Sequence, residues 1–125
     1  MNARALLLFA GLVLVAGCEP SPESFGLTAR TDQALGGEPG ARAAAMVEGD
    51  VLVVETTPLD GSDDPMDLCV TATSSDANAV EVRRVRNKCR MFVISAKRGG
   101  SATVTFSARD GKESLRIAVT PLPEP

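Results

Sequence analysis

The sequence predicts an all-β fold, a small antiparallel β-sandwich, and three observations carry that prediction. From residue 46 onward, apolar and polar residues alternate with a period of two in short runs. Turn residues interrupt these runs roughly every 8–12 residues, the spacing of a sandwich. No helical period competes with them.

The first element lies outside that domain. Arg4 and the amino terminus give a positive start, and Ala5 to Ala16 reads ALLLFAGLVLVA without a polar residue. A secretory leader needs this pattern over roughly 7–15 apolar residues, whereas a membrane-spanning helix needs about 20. Glu19 and Pro20 stop the run too early for a span. The run ends in Val15-Ala16-Gly17-Cys18, which resembles the lipobox of bacterial lipoproteins. The resemblance implies cleavage of residues 1–17, a diacylglycerol thioether on Cys18 and a further acyl chain on the freed amine. A thiol is required because its thiolate is the nucleophile. Several acyl chains make a stable anchor where one would be marginal. Glu19 differs from the aspartate that marks inner-membrane retention in enteric bacteria, so the same resemblance implies the outer membrane.

Residues 18–45 are rich in Pro, Gly, Ser, Ala and charge. They read as the lipidated cysteine and a flexible tether, since such a composition buries too little apolar area to repay its ordering entropy. A short helix around Ala41–Met46 and a docked Phe25 are further expectations. The domain proper is expected over 46–121, with 122–125 as a tail.

Within it, Val51-Leu52-Val53-Val54-Glu55 is β-branched and strand-like. Asp67 to Thr73 alternates, with Leu68, Val70 and Ala72 on one face. Ala79 to Arg83 carries Val80 and Val82, and Arg90 to Ser95 carries Phe92 and Ile94. Ala102, Val104 and Phe106 alternate with Thr103 and Thr105. Asp110-Gly111 reads as a hairpin turn, after which Leu115, Ile117 and Val119 form the sixth strand. The stretches "CVTATSSDANAVEV" and "FVISAKRGGSATVTFSARDG" resemble the group 2 bacterial immunoglobulin-like domain. Ser74-Ser75-Asp76, Val80, Val82, Gly100, Ala102, Val104 and Phe106 carry the likeness, which runs from Met46 to Thr120. It implies an Ig-like sandwich.

Three cysteines leave one without a partner inside the chain, and Cys18 is that one. Export places Cys69 and Cys89 in an oxidising compartment, where a bridge between them persists. Closing that loop is worth on the order of 3 kcal/mol in the chain-entropy model. Both fall on the outward parity of their strands, so a peripheral staple is expected rather than a core bridge. Two free thiols are the weaker alternative. A metal site is weaker still, with no His and no further Cys to complete it.

Loss of Arg4 with the leader moves the net charge from −3 to −4, so a general nucleic-acid binder is not expected. The absence of His, Tyr and Trp removes the commonest general base and the usual stacking platforms. No Gly-rich phosphate loop opens a helix, so neither catalysis nor a cofactor is expected. Asp60, Asp63, Asp64 and Asp67 could surround a calcium ion but lack the EF-hand spacing, and an ordinary acidic turn is the simpler reading. Arg83, Arg84, Arg86, Lys88, Arg90, Lys97 and Arg98 form a basic ribbon with no acid among residues 83–98. Two readings stay open for it. One is a site for an anion, an acidic glycan or an acidic partner. The other, which takes precedence, is solvated edges partly neutralised by acidic residues 48–67, since charged edges also guard against aggregation.

The functional expectation is a lipid-anchored envelope protein whose domain binds or spaces at the cell surface or in the periplasm. The alternatives are a structural subunit of an envelope or secretion assembly and an anion- or glycan-binding surface module.

Overall fold

The computed structural model describes residues 20–31 and 34–123, so Cys18 and the leader lie outside the described residues. Among the described residues nine strands follow in order: β1 (Ser24–Ala29), β2 (Gly36–Glu38), β3 (Ala41–Val47), β4 (Val51–Leu59), β5 (Thr71–Ser74), β6 (Val80–Arg84), β7 (Met91–Ala96), β8 (Gly100–Ala108) and β9 (Gly111–Thr120). They form two sheets, β1-β4-β7-β6 and β2-β3-β9-β8-β5. In immunoglobulin lettering the first is A-B-E-D, and the second carries G, F and C on β9, β8 and β5. The fold is an Ig-like sandwich. All pairings are antiparallel except β3 with β9, where Arg42 lies beside Leu115 and Val47 beside Thr120.

The alternation in each strand builds the core directly, because every second side chain points between the sheets. Leu52 and Val54 from β4, Phe92 and Ile94 from β7, and Val80 from β6 meet Val104 and Phe106 from β8 and Leu115 and Ile117 from β9. The Phe92 and Phe106 rings pack with centroids 5.5 Å apart and planes tilted by 55°, the offset geometry that aromatic quadrupoles favour.

The segment expected to be a tether belongs to the sandwich from Ser24 onward. Phe25 is 1% exposed and Leu27 9%, both inward on β1, which pairs with β4 along its whole length. Averaged composition hid a local Phe25-x-Leu27-x-Ala29 alternation. Ala41–Met46 is strand, not helix: the pairing of β3 with β9 overrides the helix preference of its alanines, and Ala44 and Met46 are buried. The expected strand over Asp67–Thr73 is shorter, with β5 beginning at Thr71, although Val70 is fully buried.

Asp110-Gly111 is not the turn pair. Ala108 pairs with Gly111 across a loop of Arg109 and Asp110, and Arg109 takes the left-handed conformation at φ 52°. Gly111 serves another purpose. A Cβ there would lie 2.8 Å from the Pro22 carbonyl oxygen, so glycine admits the incoming chain against the start of β9.

The connections gather at two poles. At the near pole lie residues 20–23, the 60–70 connection, the 85–90 turn and Arg109–Asp110. At the far pole lie residues 48–50, 75–79 and 97–99 and Pro121. The chain enters at the near pole and leaves at the far one.

Candidate functional site

The basic ribbon does not stay together. Arg83 and Arg84 end β6, Arg86 and Lys88 occupy the following turn, and Arg90 precedes β7, all toward the near pole. Lys97 and Arg98 follow β7 at the far pole. The six residues of β7, about 20 Å at roughly 3.3 Å per residue, separate Arg90 from Lys97, and only Arg83 reaches back far enough to share the Glu81 carboxylate with Lys97. The near-pole turn is held by Lys88 N–H donating to the Val85 carbonyl (3.1 Å) and Val85 N–H donating to that of Met91 (2.8 Å). Asn87 supplies its left-handed residue at φ 64°, a conformation asparagine tolerates.

Acids answer part of this charge. Glu81 accepts ion pairs from Lys97 (2.7 Å) and Arg83 (3.2 Å), and Asp67 pairs with Arg90 (3.1 Å). The hydrogen bond from Lys97, then its charge, hold the Glu81 carboxyl below its ordinary value; partial desolvation opposes them and Arg83 assists. Arg84, Arg86, Lys88 and Arg98 are exposed and make no ion pair among the described residues.

Beside the near-pole cations lies a half-open pocket of about 320 Å³, lined by Arg30, Glu55, Asn87, Lys88, Cys89, Arg90 and Met91. Arg30 and Glu55 form an ion pair across its rim. Sequence reasoning missed both. Arg30 lay in the presumed tether, and its meeting with Glu55 depends on the β1–β4 register, which sets Thr28 opposite Glu55. Of the three cations that line it, Arg30 is paired with Glu55 and Arg90 with Asp67, which leaves Lys88 without an ion pair among the described residues.

The Cys69–Cys89 bridge forms the pocket's flank, with Cα atoms 4.9 Å apart. Cys69 is exposed and Cys89 half-buried, and neither lies in a strand. The bridge is nevertheless an inter-sheet tie, joining the residues just ahead of β5 and β7. Neighbouring hydrogen bonds reinforce it: Val70 N–H donates to the Cys89 carbonyl (2.9 Å), and the buried Thr56 hydroxyl donates to that of Arg90 (2.9 Å).

The acidic loop is organised by its own backbone. The Asp60 carboxylate accepts N–H bonds from Ser62 (2.8 Å) and Asp64 (3.0 Å), which makes it a turn device. Among the described residues no group of three or more His, Cys, Asp or Glu side chains is placed to hold a metal ion. Ser74-Ser75-Asp76 is likewise structural. The Ser75 hydroxyl accepts the Thr103 N–H (2.8 Å), and the Asp76 carboxylate accepts that of Asn78 (3.0 Å). Glu113 faces inward, its two oxygens accepting the Gly40 N–H at 2.8 and 3.1 Å, which fastens the β2–β3 turn to β9.

No family model matches the chain, and no curated protein matches it. Its fold is similar to that of solved domains of the S-layer protein SbsC. Against domains 4 and 5 the TM-score is 0.57 at 16% identity, over 76% of this chain and 54% of that one. Against domains 1–6 it is 0.61 at 14% identity, over 85% of this chain and 14% of that one. The chain thus spans about half or less of these two structures, and at this identity the likeness is one of fold: an Ig-like sandwich shared with domains of a surface-layer protein.

Proposed function

We propose that this chain is a non-catalytic, lipid-anchored module of the bacterial cell envelope, held in the outer membrane through Cys18, whose sandwich binds or spaces. The likeness of its sandwich to domains of a surface-layer protein is the observation that carries the reading. The lipobox-like end of the leader supports the anchor. The opposite placement of entry and exit suits a spacing element, because one pole can face the attachment point while the other faces away.

The test is fractionation with mass spectrometry of the intact chain. The expected result is membrane-bound protein beginning at Cys18 and carrying diacylglycerol and acyl mass, with Cys18→Ser released to the soluble fraction. Unmodified chain starting at Met1 would overturn the anchor. A second reading, binding of an anionic group, draws on the pocket beside Lys88 and Arg90 and on the unpaired Arg84 and Arg86.

A further inference from the structure

The strands begin close to Cys18, and the residues between are already fastened. The Arg109 guanidinium donates to the Pro20 carbonyl. The Ser21 hydroxyl lies 3.4 Å from the Asp110 carboxylate. Pro22 is buried against Gly111. Only Glu19 separates Cys18 from this anchored stretch. Two residues of chain span at most about 7 Å, so a lipid on Cys18 cannot lie far from the near pole. The sandwich is about 30 Å tall, from strands of nine and ten residues at roughly 3.3 Å each. No arrangement of so short a link turns the far pole to the bilayer without undoing the Pro20–Pro22 contacts.

The near pole is electrically two-sided. Asp60, Asp63 and Asp64 follow β4, beside Glu23 on the β1–β4 half of the first sheet, whereas Arg84, Arg86 and Lys88 lie at the β7–β6 half. Near an anionic surface the first flank is repelled and the second attracted. A cation close to such a surface is favoured over one held away within a Debye length.

We infer that the sandwich stands on the bilayer by its near pole, leaning so that Arg84, Arg86 and Lys88 meet headgroup phosphates while the far pole, with Arg98, faces away. This rests on the lipid anchor at Cys18 and deepens the anion-binding reading by naming the anion's source. Partners at a distance are left the far pole and the outer sheet faces.

Hydrogen exchange with mass spectrometry on the full lipidated chain tests it, in vesicles of phosphatidylethanolamine and phosphatidylglycerol against the same protein in neutral detergent. Intact mass is measured first, and loss of diacylglycerol there would overturn the anchor alone. With the anchor confirmed, amides of 84–90 and 109–110 should exchange several-fold more slowly in vesicles, and those of 48–50 and 97–99 should not change. Equal effects at both poles, or none, would overturn the footing. The variant R84E/R86E/K88E, altered only at exposed positions, should lose protection at 84–90 and keep it at 109–110. Protection at 84–90 by soluble acidic oligosaccharide but not by vesicles would overturn the headgroup assignment.

Discussion

The two poles of the sandwich are built on different economies of contact. The far pole closes with short turns held by backbone hydrogen bonds, within a turn from Asp50 N–H to the Val47 carbonyl and between turns from Gly49 N–H to the Ala96 carbonyl. The near pole spans the long 60–70 connection and is secured by ties between distant segments, namely the Cys69–Cys89 bridge, Thr56 on Arg90, and Pro22 on Gly111. A long connection carries more conformational freedom than a tight turn. The covalent cross-link accordingly sits at the near pole, where that freedom is largest.

Breaking the near pole should cost most. The double variant C69S/C89S should lose about 3 kcal/mol of unfolding free energy, read from denaturant midpoints under non-reducing conditions, with the wild type showing the same loss on reduction. Next, Gly111→Ala should cost about 1–3 kcal/mol, the range of overpacking. Its signature should be faster proteolysis ahead of Ser24 while the rest of the sandwich stays closed. At the far pole Ser75→Ala removes the acceptor for the Thr103 N–H and should cost about 1 kcal/mol, measured by the same melts. Equal losses for Ser75→Ala and the cysteine pair would dissolve the contrast between poles.

The smallest effect is electrostatic. Lys97 and Arg83 lower the Glu81 pKa in the folded state. A lowered carboxyl contributes stability that is present above its unfolded pKa and lost as pH falls through the folded one. Glu81→Gln should remove a shallow acid-side slope between pH 5 and 3 (about the carboxylate range), and added salt should flatten the wild-type slope in the same way.

Much of the sandwich was legible because its strands alternate plainly. Val104 and Phe106 against Thr103 and Thr105 announce a half-buried strand with no other information. The N-terminal strands were not, for two physical reasons. Phe25 and Leu27 sit among prolines, glycines and charges that mask them in any averaged window. The alanines of β3 prefer helix locally, and their partner strand lies about seventy residues away, a pairing no local pattern encodes. The candidate site divides in the same way. Every cation of the ribbon could be named in advance, and the disulfide with them. The division of the ribbon by β7, and the arrival of Arg30 beside Glu55, follow from register and layer order, which only the assembled sheets supply.

The parallel pairing of β3 with β9 has a consequence for how the chain is made. It joins Arg42 to Leu115 and Val47 to Thr120, so one of the earliest strands to be synthesised must wait for the last. Contacts of such wide separation are slow to form, since the loop between must close before they reward it. During synthesis β3 therefore emerges without its final partner. The sandwich closes only when β9 has emerged, so the second sheet stays open until the chain has been made through Thr120.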